Sequence, residues 1–205
     1  LIDFLHYLCI MSEDYPIERH PLTPFIPDGA EILMLGSFPP AKKRWAMDFY
    51  YPNISNDMWR IFGIVFHEDK LHFIDTIEKT FKKDDIVECL KLQKIAIYDT
   101  ASAIRRTKNT ASDRDLEIIE TTNLEKLLDN IPNCKAVITT GEKATETFTA
   151  QFNIEKPKVG NSIEFKFKER NMRLYRLPSS SRAYPIKVEI KAEYYRNIFN
   201  EILNK

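Results

Sequence analysis

The residues best equipped for chemistry crowd into residues 33–59, LMLGSFPPAKKRWAMDFYYPNISNDMW. An apolar run breaks at Gly36-Ser37, meets two prolines and passes Lys42-Lys43-Arg44. It then delivers Phe49, Tyr50, Tyr51, Asn53, Asn56 and Trp59 in quick succession. The aromatic faces of Phe38, Phe49, Tyr50 and Tyr51 can stack on a planar base, each stack worth roughly 1–3 kcal/mol. They can equally fill a core. The amides of Asn53 and Asn56 carry donors and acceptors together, and either suits the cap of a following helix. Far downstream, Pro178-Ser179-Ser180-Ser181 sets hydroxyls and backbone N–H groups in a row beside Arg182. Such a nest suits a phosphate or a plain serine turn. Asp99 closes an apolar run and reads as a loop-capping carboxylate. Nucleophile elbow, Walker loop, GxGxxG and metal-ligand spacings are absent from the sequence.

These groups need a scaffold, and the composition supplies one. The 205 residues, 43% hydrophobic and 29% charged, suit one globular domain over 1–205 with a sizeable core. Residues 1–10 are expected to be an N-terminal extension ahead of Met11. No run is long and apolar enough to span a membrane, and residues 1–10 lack the basic start and cleavage site of a signal peptide. Cys9, Cys89 and Cys134 are odd in number and far apart, which argues against a disulfide framework. Idle thiols, a cytoplasmic location and a monomer are expected. His6, His20, His67 and His72 form no metal spacing, and no cofactor is expected. Net charge is zero, so any nucleic-acid footprint must be local. Lys42, Lys43, Arg44, Arg105, Arg106, Lys108, Arg173, Arg176 and Arg182 are its candidates, or they are solvated charges.

In order, 11–29 reads as an opening loop and 31–36 as a buried strand. After the long loop, Asn56 or Asp57 caps an amphipathic helix over 58–66. Residues 73–81 and 85–92 read as short helices, 94–98 as a strand, and the residues through 113 as a polar loop. A helix over 124–131, a strand over 135–139 and a helix over 142–152 follow. Strands over 162–168 and 172–177 precede a closing helix over 188–203, with Tyr194, Tyr195, Ile198, Phe199 and Ile202 on its apolar side. Alternating strands and helices predict a three-layer α/β/α fold around a mostly parallel sheet.

Gly36-Ser37-Phe38, Asp99-Thr100, Thr140-Gly141 and residues 178–181 each directly follow a strand. In a parallel sheet such segments line one edge, where ligands bind. The sequence therefore predicts one cleft built from segments far apart in the chain.

Taken together, these residues resemble the uracil-DNA glycosylase superfamily, and most nearly its hypoxanthine-DNA glycosylase (family 6) and mismatch-specific branch. The matching elements are Leu35-Gly36-Ser37-Phe38-Pro39, Tyr50-Tyr51, Asn56-Asp57-Met58-Trp59, Ile97-Tyr98-Asp99 with Ser112-Asp113, Gly141-Glu142-Lys143-Ala144, and Leu177-Pro178-Ser179-Ser180-Ser181-Arg182-Ala183. The likeness runs from about residue 31 to the C-terminus. The chain departs from the superfamily where Ser37-Phe38 follow the first glycine in place of an Asp or Asn. It departs again at Thr140, where an Asn often ends the strand, and at Arg182, where the branch usually has proline.

The resemblance implies a monofunctional DNA glycosylase acting in base-excision repair on uracil or hypoxanthine, with neither metal nor covalent lysine. Asn56 would position the water or hydrogen-bond the base. Gly36, Ser37, Phe38 and Thr140 would line the base pocket, and Tyr51 would close it. Ser179 and Ser181 would hold the flanking phosphates, while Arg182, Ala183 and Tyr184 press into the duplex. Lys42, Lys43 and Arg44 would grip the backbone. Two rivals share the same cleft, a non-catalytic nucleic-acid-binding member of the fold and a nucleoside- or nucleotide-processing enzyme.

Overall fold

The computed structural model describes residues 15–108 and 115–203. The expected extension over 1–10 and the Ser112-Asp113 element lie outside them. At the centre is a five-stranded sheet. Its strands are β2 (Ile32–Gly36), β5 (Ile95–Asp99), β8 (Ala136–Thr140), β9 (Ser162–Phe167) and β10 (Arg170–Leu177), in the order β5-β2-β8-β10-β9. β2 pairs in parallel with β5 and β8, and β8 with β10. Only β9 runs antiparallel, at the rim.

β2 and β8 are buried on both faces, as the middle of a parallel sheet requires. Side chains of these strands and of β5 divide by the period of two. Ile32, Met34, Ile95, Ile97 and Ile138 share one core with Trp59, Phe62, Tyr195 and Phe199. Leu33, Leu35, Ala96 and Val137 share another with Leu124, Leu127 and Phe148. Helices α1 (Met58–His67) and α5 (Val188–Leu203) cover the first face; α3 (Leu124–Asp129) and α4 (Glu142–Phe152) cover the second. The expected three-layer fold is what forms. On α5, Tyr194 turns to solvent while Tyr195 is fully buried.

Three expectations fail. Residues 73–81 form no helix but a two-stranded hairpin, β3 (Ile74–Asp75) and β4 (Thr80–Phe81), ahead of α2 (Lys83–Leu92). The Asp75 carboxylate accepts from the N–H groups of Ile77 and Glu78, and Lys79 takes a left-handed φ of 53°. That side-chain turn competes with a helix and wins. The supposed opening loop contributes β1 (Ile17–Arg19). The supposed polar loop contains β6 (Ala101–Arg106) and begins the hairpin to β7 (Leu116–Thr121), giving a second sheet in the order β1-β6-β7. Paired charges hid these strands. Arg105 faces Glu117 across the ladder, their ion pair 3.0 Å long, and Arg106 makes a bidentate pair with Glu18.

At the far end of α1 the His67 and His72 rings stack with centroids 3.6 Å apart. Burial, and then the neighbouring His72, lower the proton affinity of His67; Asp69 and Asp85 oppose them. A folded pKa below the unfolded value means the unfolded chain binds more protons. Stability is then full above the unfolded pKa and falls as pH drops through the folded one. Thermal unfolding is therefore expected to show Tm rising with pH through this histidine's titration range. The rise should shrink in His72→Gln, and an unchanged pH profile in that variant would contradict the pairing.

Candidate active site

The carboxyl ends of β5, β2, β8 and β10 form one edge. It carries Asp99, Gly36, Thr140 and Leu177 in spatial order. The long loop between β2 and α1 folds back over this edge because Trp59 anchors it. Trp59 is fully buried, donates its indole N–H to Tyr50 O over 3.1 Å and packs against Phe49, Tyr51 and Phe62. Phe49 and Tyr50 are thereby spent on the core, and the phenol of Tyr50 donates to Thr23 O. They offer no face to a base. Phe38 is 9% exposed and rests on Ala101, Ile104 and Leu116 beneath the second sheet, with His20 edge-on at 5.1 Å.

Tyr51 behaves differently. Half-buried, with φ 49°, it holds a left-handed conformation that costs a bulky residue strain. That geometry brings its hydroxyl to 2.9 Å from Thr140 Oγ1. Thr140 Oγ1 also lies 3.4 Å from Leu35 O, to which it donates, so the Tyr51 hydroxyl is the donor to Thr140. Gly36, Tyr51 and Thr140, expected to share a pocket, do come together. Ser37 is buried beside them at the strand end.

The Gly36 position permits nothing larger. A methyl there would sit 2.3 Å from Asp99 Oδ1 and 3.3 Å from the Tyr51 hydroxyl oxygen. Gly36→Ala is expected to push the Asp99 carboxylate aside and to lower stability by about 1–3 kcal/mol, as overpacking does. Urea unfolding checks this, and an unshifted midpoint would contradict the close approach.

His20, and its contact with Asp99 on this edge, escaped sequence reasoning. His20 Nε2 lies 3.0 Å from Asp99 Oδ2, with the two side chains 3% and 8% exposed. The imidazole packs among Phe38, Tyr50 and Tyr98, and its Nδ1 lies within hydrogen-bond distance of Leu22 N and O. Burial, and then the Asp99 charge, push the phenols of Tyr50 and Tyr98 up. Both tyrosines therefore stay protonated around that carboxylate. Nothing in the spacing of His20 and Asp99, 79 residues apart, points to the contact.

At the β10 end, Asn56 pairs with Ser181 in an isolated antiparallel bridge and Asp57 N donates to Ser180 O. The serine row is thus joined to the start of α1. Asn56 Oδ1 accepts from Met58 N–H over 2.8 Å, so from one residue outside the N-cap, Asp57, it caps the first N–H of the helix. Its side-chain NH2 has no hydrogen-bond partner among the described residues. Asn53 Oδ1 accepts from Ser55 N–H, a local turn. Ser179 Oγ accepts from Ser181 N–H and Ser181 Oγ from Ala183 N–H. Those two backbone donors are committed internally, and the hydroxyl protons remain to be offered to an anion.

Beneath lies a feature no motif announced. Lys191 of α5 is wholly buried, donating to Ser181 O over 2.7 Å and to Asp57 Oδ2 over 3.3 Å. Arg182 reaches Asp57 Oδ1 at 3.4 Å, and Arg60 donates to the carbonyls of Ile54 and Asn56. Burial, and then the Arg182 charge, lower the Arg60 pKa. Three cations surround one carboxylate, leaving the serine row in a positive field.

Other candidate cations are occupied. Arg105 and Arg106 pair with Glu117 and Glu18, Arg173 with Glu164 and Glu201, and Arg176 with Glu142. Lys42, Lys43 and Arg44 form an exposed 3-10 turn, where Lys42 pairs with Asp48 and covers the Trp45 ring. The broad basic face contracts to this turn and to the surroundings of Arg182. Tyr184 is half-buried just beyond.

No family model matches the chain. It is 29% identical over 130 residues to a Methanosarcina barkeri protein named hypoxanthine DNA glycosylase, an alignment covering 63% of this chain and 75% of that one. In fold it is similar to a solution NMR structure from Methanosarcina acetivorans that carries a provisional uracil DNA glycosylase name. The TM-score is 0.61 and the identity 21%, over 92% of this chain and 99% of that one. The resemblance and the fold class expected from the sequence are both borne out. Among the described residues, no helix is long and apolar enough to cross a membrane.

Proposed function

From the chain's kinship with the uracil-DNA glycosylase superfamily, in fold and in sequence, we propose that it is a monofunctional DNA glycosylase. It releases a deaminated base, uracil or hypoxanthine, by hydrolysing the N-glycosidic bond. The observation that carries this reading is the convergence of Gly36, Tyr51, Thr140 and the Asn56–Ser181 bridge along one sheet edge. The sequence likeness to a protein named for hypoxanthine release supports it.

A base can be cut only after it leaves the stack, which costs a few kcal/mol and least at a mismatch. The hydroxyls of Ser179 and Ser181, in the field of Arg182, Arg60 and Lys191, hold the phosphates beside the extruded nucleotide. Lys42, Lys43 and Arg44 add a second backbone grip, and Arg182 and Tyr184 lie against the duplex. The base enters between Gly36, Ser37, Phe38 and Thr140, and Tyr51 closes behind it. As the C1′–N bond breaks, its electron pair leaves with the base and the sugar turns oxocarbenium-like. The NH2 of Asn56, left over from the helix cap, hydrogen-bonds the departing base or positions the water. Water adds to C1′, and its proton is released to the base or to solvent. Such electrostatic aim supplies most of the acceleration in reactions of this kind.

A second reading rests on one observation: the Asn56 carbonyl is already spent on Met58 N–H. If capping is its whole task, the protein is a nucleic-acid-binding member of the fold that does no chemistry. Alkali-induced strand scission of oligonucleotides bearing uracil, hypoxanthine or xanthine, single- and double-stranded, decides. Scission by the wild type supports the glycosylase; binding without scission on every substrate supports the second reading.

A further inference from the structure

We infer that Lys191 is the residue that frees Arg182 for DNA. By neutralising Asp57 from beneath, it lets the Arg182 guanidinium pass from that carboxylate to a backbone phosphate held at the serine row. The exchange rests on the glycosylase reading, which supplies the DNA, and adds one positioning residue to it.

Asp57 is the N-cap residue of α1, yet its side chain accepts no hydrogen bond from the helix. A carboxylate at that position ordinarily takes one of the first free N–H groups. Here Asn56 takes the N–H of Met58 instead, and both Asp57 oxygens turn to cations. Oδ2 faces Lys191 at 3.3 Å, and Oδ1 faces Arg182, whose Nε and Nη2 both lie at 3.4 Å.

The two cations are held very differently. The Lys191 side chain is 0% exposed, and its ammonium is also fixed on Ser181 O at 2.7 Å. Arg182 is 55% exposed. Its two contacts fall on one oxygen and are longer than the usual N–H···O range, without the paired fork that makes a guanidinium–carboxylate bond strong. Exposed pairs of that kind hold weakly. The buried partner stays with Asp57, and the exposed one is free to leave.

The chain dictates where it goes. Arg182 directly follows Ser181, whose hydroxyl, with that of Ser179, is what the row offers to an anion. A guanidinium swung off Asp57 meets a phosphate at those hydroxyls and grips it through two N–H groups at once. Charges then stay matched: Lys191 with Asp57 inside, Arg182 with the phosphate outside. Without Lys191, Arg182 would be the one ion-pair partner left to Asp57 among the described residues. Moving it to DNA would strand a buried carboxylate, which is costly. Wholly buried, Lys191 touches no DNA. It acts through Asp57 and Arg182.

Salt dependence reads this exchange, because each phosphate contact adds about 0.9 to the slope of log K against log salt. Fluorescence anisotropy at pH 8 would follow a duplex bearing a tetrahydrofuran abasic analogue, which holds no base to release. Arg182→Ala is expected to lower the wild-type slope by about that amount. Lys191→Met should lose as much with Arg182 still present, and adding Arg182→Ala to it should remove nothing more. Lys191→Met with Asp57→Leu should regain the wild-type slope, since Arg182 then has no carboxylate to guard. In that background Arg182→Ala should again cost the full amount. A lysine that only adds to the positive field, or only holds the fold, gives another pattern: Arg182→Ala costs as much beside Lys191→Met as in the wild type. That additivity overturns the inference. So does an unchanged slope in Arg182→Ala, a low slope in the Lys191→Met, Asp57→Leu protein, or a wild type that binds no DNA. Far-UV dichroism identifies a Lys191→Met protein that fails to fold. Lys191→Gln, which can still donate to Ser181 O but carries no charge, then takes its place under the same expectations; should both fail, the doubly substituted protein with and without Arg182→Ala decides alone. A wild type that binds DNA but releases no base from uracil or hypoxanthine duplexes sinks the glycosylase reading, and the slopes still judge Lys191.

Discussion

Lys191→Ala is expected to cost about 3–5 kcal/mol of stability, because it strips a buried carboxylate of a fully buried partner. The Lys191 ammonium donates to Asp57 Oδ2 and also satisfies Ser181 O. With alanine, the one ion pair left to Asp57 among the described residues is with Arg182, which is 55% exposed at 3.4 Å, and Ser181 O loses that donor. Arg182→Ala should cost under about 1 kcal/mol, as exposed ion pairs do. The double variant Lys191→Met with Asp57→Leu should regain much of what Lys191→Ala loses, because removing both charges avoids the orphaned one. Urea unfolding midpoints measure all three. Equal small losses for Lys191→Ala and Arg182→Ala would contradict the assignment of Lys191 as the clamp between α5, α1 and the serine row.

Asn56→Ala is expected to slow base release by roughly a hundred- to a thousandfold, the usual effect of deleting one donor aimed at developing charge. It should also cost about 1 kcal/mol of stability, since Met58 N–H loses its cap. The two effects separate in Asn56→Asp. A carboxylate can still accept from Met58 N–H but has no NH2 to give. Asn56→Asp should therefore keep nearly wild-type stability and show the slow release of Asn56→Ala. Single-turnover rates set beside thermal melts check this. An Asn56→Asp variant that releases base at the wild-type rate would reduce Asn56 to a helix cap.

The parallel sheet and its edge were legible because buried runs such as residues 32–35, 95–97 and 136–138 have one structural meaning. The glycine, hydroxyl or carboxylate ending each run marks the C-terminal side. Helices α4 and α5 fell on their expected bounds because their apolar spacing is unbroken. The second sheet was not legible, since β6 and β7 carry their alternation as Arg and Glu pairs that pass for a polar loop. Nor was the division of labour among the aromatics. Phe49, Tyr50 and Tyr51 are neighbours in sequence, but only Tyr51 takes the left-handed turn that sends its hydroxyl to Thr140. The pairings of His20 with Asp99 and of Lys191 with Asp57 were invisible for a simpler reason: each joins distant segments, and neither spacing nor motif ties the two residues together.

The most direct test of the central claim is single-turnover release of base from duplexes containing hypoxanthine or uracil, with wild type and Asn56→Ala in excess over DNA. The expected result is abasic product from at least one duplex with wild type, falling a hundredfold or more with Asn56→Ala at unchanged DNA affinity. Tight, salt-sensitive binding with no abasic product from either duplex would contradict the account.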